Sequence, residues 1–229
     1  MADPVLPKDR LVRTIPLGRV NAFLIRGTRP VLVDTGLPGS DERILAVLKE
    51  EGYNFRDLGL IIITHVHTDH FGSAVAISAK TGAPVLVHAD EAGSLAAGNG
   101  LQPVPVSLVG SVFSLLIGRE TPHPELAVDP AYRVTGPYRL DAFGIDGEVV
   151  PAPGHTRGSL AVRLATGEYI VGDLLMGLFP AHHPRFPVFA EDMGALAESV
   201  HSMIALRPGI VYTGHGGPFT AAQLESFGV

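Results

Sequence analysis

The chain contains no cysteine. Disulfide staples, thiolate metal sites and a cysteine nucleophile are excluded together, and any metal must be held by His, Asp or Glu. Block runs of Lys or Arg are also missing. With 17 Lys and Arg against 23 Asp and Glu, the net charge is -6, so nucleic acid is not an expected partner. Residues Met1 to Lys8 lack a basic region followed by an apolar core, so no secretory signal is read there and a cytoplasmic location is expected. The longest apolar stretch, Val104 to Ile117, is too short for a bilayer and is broken by Pro105, Gly110 and three serines, which excludes a membrane span. No serine sits in a Gly-x-Ser-x-Gly elbow, Lys80-Thr81 lacks the glycine of a phosphate loop, and no Gly-x-Gly-x-x-Gly fingerprint occurs.

What is present is a chain of 229 residues, 46% hydrophobic, enough for one substantial domain over residues 1–229. Short strands are expected at Leu11 to Pro16, Val20 to Arg26 and Pro30 to Asp34, punctuated by Gly18, Gly27 and Pro30. Ser40 or Asp41 can cap a helix that ends at Gly52, with Ile44, Leu45 and Leu48 on one face and Glu42, Arg43, Lys49 and Glu50 on the other. Leu60 to Ile63 reads as a buried strand, Ser73 to Lys80 as a helix and Val85 to His88 as a strand. Residues of about 91–137 break this rhythm and read as a lid-like insert around one apolar helix, Val106 to Ile117. Ser107, Ser111 and Ser114 are expected to share a face of that helix. The first reading is a core helix with a small-residue stripe; the other is a lid or a homodimer surface. Strands resume at Gly147 to Pro151, Leu160 to Ala165, Glu168 to Val171 and Ile210 to Tyr212, with helices at Met193 to Leu206 and Thr220 to Phe227. Strand-rich halves that each turn helical suggest an α+β, four-layer αββα sandwich.

The chemistry concentrates in His65-x-His67-x-Asp69-His70, directly after the buried strand Leu60 to Ile63. Residues two apart on an extended strand exit point the same way, so His65 and His67 can ligate one ion together. Asp69 and His70 lie where a helix begins, and can face a second ion. Further candidates recur beside glycine at strand ends: His155 in Pro153-Gly154-His155-Thr156, Asp173 after Gly172, and His215 in Gly214-His215-Gly216-Gly217. Small neighbours allow close approach to an ion. Imidazole and carboxylate donors suit zinc, iron or manganese. His182 and His183, within a segment holding Phe179, Phe186 and Phe189, are read either as a pocket wall or as an ordinary surface loop.

Thr64 to His70, His155, Asp173 and His215, supported by Asp34-Thr35-Gly36, resemble the metallo-β-lactamase superfamily across nearly the whole chain. The resemblance implies the metallo-β-lactamase fold and two divalent metal ions, zinc before iron or manganese. One ion falls to His65, His67 and His155, the other to Asp69, His70 and His215, with Asp173 bridging them. It also implies a water or hydroxide shared between the ions as nucleophile, with Asp69 orienting it or passing its proton on. Asp34 is read as support behind the metal loop, or as a plain turn aspartate.

Within that superfamily, many dinuclear β-lactamases use a cysteine ligand and the others lack the bridging aspartate, so β-lactams are not the first expectation. Glyoxalase II resembles the chain in its ligands but adds basic C-terminal helices, whereas the tail after His215 holds no Lys or Arg. N-acyl homoserine lactonases share the ligands and a comparable length. The apolar insert and the phenylalanines after Asp173 therefore suggest a small apolar or acyl-bearing ester, lactone or thioester as substrate, with phosphoester turnover as a side activity. The alternative class is a persulfide dioxygenase, which shares the fold but uses a single iron held by two histidines and the aspartate.

Overall fold

Side chains alternate in direction along a strand, so continuous apolar runs give the central strands two buried faces, and the layers follow from it. The computed structural model describes residues 10–117, 119–177 and 183–227. In the first sheet, β1 (Val12–Pro16), β2 (Asn21–Ile25), β3 (Val31–Val33), β4 (Leu60–Ile62), β5 (Val85–His88) and β6 (Tyr132–Val134) lie side by side in chain order. The first three form an antiparallel meander, and β3 through β6 run parallel. In the second sheet, β7 (Tyr138–Arg139), β8 (Gly147–Pro151), β9 (Leu160–Leu164), β10 (Glu168–Ile170), β11 (Ile210–Tyr212) and β12 (Phe219–Thr220) are again sequential neighbours. There only β10 and β11 pair in parallel.

Phe23, Ile25, Leu60 and Ile62 point from the first sheet into a central core shared with Val149, Val162, Ile170 and Tyr212 of the second. Their alternates Ala22, Leu24, Ile61 and Ile63 point the other way, onto Ile44, Val47 and Leu48 of α1 (Asp41–Glu50). Between β4 and β5 the chain forms α2 (Thr68–Phe71) and α3 (Ala74–Thr81), and α4 (Ala92–Ala97) follows β5. Ile77 and Leu95 add to this outer layer. Beyond α5 (Leu108–Ile117) comes α6 (Met193–Ala205), started by the Asp192 carboxylate, which accepts hydrogen bonds from the amides of Gly194 and Ala195. Its Leu196, Val200 and Met203 pack with Leu224 of α7 (Ala221–Glu225) on Ala161, Val171 and Val211 of the second sheet. Helix, sheet, sheet, helix is the four-layer αββα order expected from the sequence.

Two parts differ from the sequence reading. β6 and β7 lie at residues 132–139, where no strand is expected; β6 is a mostly exposed edge strand and carries no alternating pattern. The second difference is α5, for which a core position is the first expectation. Its Leu108, Val109, Val112, Phe113, Leu115 and Leu116 are exposed, while Gly110 is buried. The reason is steric: a Cβ on Gly110 would stand 2.3 Å from the Val188 carbonyl oxygen, so only the small-residue side can face the body. The serines form no contact stripe. Ser107 caps the first turn through Gly110 N, Ser111 bonds back to the Ser107 carbonyl, and only Ser114 is partly covered. Among the described residues no helix is long and apolar enough to cross a membrane.

Leu196 is fully buried between α6 and the second sheet. Leu196→Ala is expected to lower unfolding free energy by about 2–5 kcal/mol, read from urea midpoints at unchanged slope.

Candidate metal centre

All seven candidate side chains leave the sheets at one end. β4 is buried throughout and empties into Thr64 to His70, where His67 occupies the N-cap position of α2. His155 lies in the β8–β9 connection, Asp173 just beyond β10 and His215 just beyond β11. Leu160 N donates to the Thr64 carbonyl at 2.8 Å, tying the two sheets together beside the cluster. Glycine is required next to His215. A Cβ on Gly214 would come within 2.4 Å of Asp173 Oδ1 and 2.6 Å of His70 Cε1.

Three overlapping sets of potential ligand atoms result: His65, His67 and His155; His65, His70 and Asp173; Asp69, His70 and His215, each set lying within 4.8 Å. His155 Nε2 stands 3.1 Å from His67 Nδ1. Asp173 reaches both ends of the cluster, 3.8 Å from His155 Nε2, 3.6 Å from His70 Nε2 and 3.3 Å from His215 Nε2. Asp69 Oδ2 is 3.3 Å from His215 Nε2. His65, His70, His155 and Asp173 are buried, whereas Asp69 and His215 are partly open, so solvent reaches the cluster on their side.

Outer acceptors set which ring nitrogen points inward. His70 Nδ1–H donates to Asp34 Oδ2 at 2.8 Å, His155 Nδ1–H to the Phe189 carbonyl at 2.9 Å, and His215 Nδ1–H to the Arg19 carbonyl at 2.8 Å. Thr64 Oγ1 gives its own proton to Asp34 Oδ2, so it accepts from His65 Nδ1–H at 3.0 Å. Each of these four rings therefore turns Nε2 toward the centre. Asp34 is fully buried, adopts φ 60, and also accepts from Thr64 N at 2.8 Å. The supporting role foreseen for it is the one it fills.

Electrostatics divide the cluster in two. Burial holds His65 and His155 below the usual imidazole range and pushes His67 down to about 3, so these three rings are neutral with lone pairs available. Burial also opposes charge on Asp69 and Asp173, yet neighbouring His70 and His215 keep both carboxyls well below the usual carboxylate range. The reciprocal effect is on the histidines. Against burial, Asp173 leads the carboxylates that hold His70 well above its ordinary value and raise His215 to about 10. Buried His65 Nε2, His70 Nε2 and Asp173 Oδ1 have no hydrogen-bond partner. Of these, His65 Nε2 and Asp173 Oδ1 are orphaned acceptors, and His70 Nε2 becomes one when its ring releases a proton as a cation binds; together with two carboxylates they are the donor set of a cation site.

The sequence profile of the metallo-β-lactamase superfamily matches residues 15–215. The chain belongs to this superfamily. A probable metallo-hydrolase of Bacillus subtilis, YflN, is 27% identical over 217 residues, covering 86% of this chain and 78% of that protein. A second from the same organism, YqgX, is 28% identical over 213 residues, covering 89% of each chain. Among solved structures, an archaeal metallo-β-lactamase superfamily protein from Sulfolobus tokodaii superposes with a TM-score of 0.67 at 21% identity, over 95% of this chain and 84% of that one. The chain is thus a metal-dependent hydrolase with the metallo-β-lactamase fold and a candidate His/Asp metal site.

Sequence reasoning misses one residue that this superfamily member uses to hold its site together. Glu91, buried at the N-terminal side of α4, accepts from Val66 N at 2.6 Å through Oε2, and from Gly158 N at 3.0 Å and Thr156 Oγ1 through Oε1. Val66 separates His65 from His67, and Thr156 follows His155, so one carboxylate joins the two loops. A lone acidic residue after a strand gives no sequence signal of this. The Phe189 and Arg19 carbonyls are equally silent, since any residue could supply them. His88, His123, His183 and His201 stay outside the cluster: His88 accepts from Asp90 N, and the others lie partly or fully exposed. His182 and Phe179 lie outside the described residues.

Glu91→Ala strands three buried donors and is expected to cost on the order of 3 kcal/mol or more. Thr156→Val, removing one donor, should cost roughly 1 kcal/mol. Equal losses in chemical denaturation would contradict this ranking.

Proposed function

We propose that the chain is a dinuclear hydrolase of small esters, lactones or thioesters bearing an apolar or acyl group, with phosphoester turnover as a side activity. His65, His67 and His155 would hold one ion and Asp69, His70 and His215 the other, with Asp173 within reach of both sets. The observation that carries this reading is the reach of Asp173, which stands 3.8 Å from His155 on one side and 3.3 Å from His215 on the other.

The donor set fits such ions. Neutral His65, His67 and His155, two ionised carboxylates, and His70 and His215, which would release a proton as a cation takes their Nε2, suit zinc first, with iron or manganese as alternatives. When bound, ions of this kind polarise a substrate carbonyl and lower the pKa of water toward about 7. The protein's own part is positioning and proton handling. Asp34 and the Phe189 and Arg19 carbonyls fix ring orientations. Asp69 lies on the solvent side, ionised and 3.3 Å from His215, where it can accept a proton and return it to a leaving group.

The apolar substrate preference rests on the insert that borders the cluster. Leu101 N bonds to the Val66 carbonyl, and Thr68 Oγ1 donates to Glu120 Oε2 at 2.9 Å, so the segment between Leu101 and Glu120 is rooted on the metal loop. An open groove of about 480 Å³ lies along that segment, lined by Pro103, Val104, Pro105 and Leu115 together with Gln102, Ser114 and Arg119; the cluster residues are not part of its wall. Action on a small molecule in the cytoplasm accords with this reading. The alternative, a single-iron persulfide dioxygenase, leaves the Asp69, His70 and His215 set without a role.

Elemental analysis of purified protein is expected to give about two equivalents of zinc, iron or manganese per chain. One iron, with sulfite formed from glutathione persulfide, would overturn hydrolysis. Asp173→Asn should lose metal and lower turnover together by roughly 10–100-fold, and undiminished turnover refutes the bridge. Chelation should lower the thermal midpoint, because ions held only by the folded chain stabilise it by mass action. A panel of lactones, esters and thioesters assayed with zinc or manganese checks the substrate class, and no turnover on any member rejects it.

A further inference from the structure

The feature that the metal centre does not absorb is the inverted amphipathy of α5. Soluble helices bury an apolar stripe and expose a polar one. Here the order is reversed. Gly110 is buried and Ser114 partly covered, while Leu108, Val112, Leu115 and Leu116, spaced as one helical stripe, are 87%, 57%, 84% and 79% exposed. Val109 and Phe113 widen the stripe at 56% and 45%. No charged residue occurs between Val104 and Gly118.

We infer that this face is where two copies of the chain pair, α5 against α5 about a two-fold axis. Three observations choose a second copy over other occupants. The first is area. At roughly 150–200 Å² per fully exposed large apolar side chain, these six, weighted by their exposure, offer about 600–800 Å², above the few hundred of an ordinary surface patch and close to the ~800 Å² that each partner contributes to a stable interface. One acyl chain is too small to cover that.

The second is charge. Each copy carries a net charge of -6, so copies repel except where the approaching surfaces are neutral, and α5 offers a charge-free stretch of surface. The helix itself carries no Lys or Arg, and Arg119 beyond its C-terminal end, in the same groove as Leu115, is a single cation where interfacial helices carry a row of them along their polar face. Ten residues also span only about 15 Å, half of a bilayer core.

The third is anchorage. α5 is held on the body from both sides: Val106 N bonds to the Val188 carbonyl and Ala190 N to the Val104 carbonyl before it, and Glu120 bonds to Thr68 after it. A helix fixed this way presents its stripe in one orientation, which an isologous contact needs. The pairing does not rest on the metal reading, since none of its residues belongs to the metal cluster.

Sedimentation velocity on the full chain tests it. Wild type should be dimeric at micromolar concentration and dissociate on dilution. Leu108→Lys combined with Leu116→Lys places like charges across the axis and should raise the dimer dissociation constant by at least about 100-fold, with an unchanged far-ultraviolet circular dichroism spectrum. Because the chain has no cysteine, Val112→Cys supplies a single thiol, and a bis-maleimide should link two copies through it. This cross-link keeps the test decisive if the double variant misfolds. A wild type that stays monomeric to roughly 100 µM overturns the proposal. So does a double variant that dimerises like wild type, or a Val112→Cys chain that does not cross-link. Co-sedimentation of monomers with phosphatidylcholine–phosphatidylglycerol vesicles would point to a membrane instead and equally overturn it.

Discussion

Two carboxylates and five imidazoles can share a cleft between two sheets only if positive charge sits among them. Asp69 and Asp173 stay ionised because His70 and His215 face them, while His65, His67 and His155 are kept neutral by burial. That division is costly without a cation, since an unpaired buried charge or acceptor loses its hydration. The arrangement becomes favourable when an ion accepts the lone pairs and neutralises the carboxylates. Much of the surrounding architecture can be understood as keeping those donors from relaxing away from one another.

The sandwich does this by delivering loops from both sheets to one edge. Parallel pairing of β3, β4 and β5 sends consecutive strand ends in one direction, and the parallel pair β10 and β11 does the same for Asp173 and His215. Asp34 and Glu91 then fasten what the strands deliver. Asp34 joins the end of β3 to Thr64 and His70; Glu91 joins the His65–His67 loop to the loop after His155. Asp34 sets the orientation of the His70 ring, and Glu91 fixes the backbone that carries His65, His67 and His155.

How far the sequence reveals this depends on the kind of signal. β2, β4 and β5 are legible because apolar runs bounded by Gly, Pro or polar residues have few other uses, and the histidine cluster is legible because its spacing has no competing explanation. The meander, the layer order and the His65 to His70 cluster follow from those signals, while His155, Asp173 and His215 are legible only through their glycine-flanked strand ends and the family resemblance. β6 is not legible: an exposed three-residue edge strand needs no alternating pattern. α5 misleads for another reason. Apolar composition implies burial, but the buried side is chosen by Gly110 against the Val188 carbonyl, a contact that exists only once residues 104–106 pair alongside 188–190. Glu91 and the orienting carbonyls of Phe189 and Arg19 depend on the fold in the same way.

The central claim is that these side chains are preassembled around a pair of cations. Anomalous diffraction from crystals grown with zinc, collected on either side of the zinc edge, examines it most directly. Two peaks per chain are expected, one against His65, His67 and His155, the other against Asp69, His70 and His215, with Asp173 touching both. A single peak, or peaks only at surface carboxylates, would contradict it.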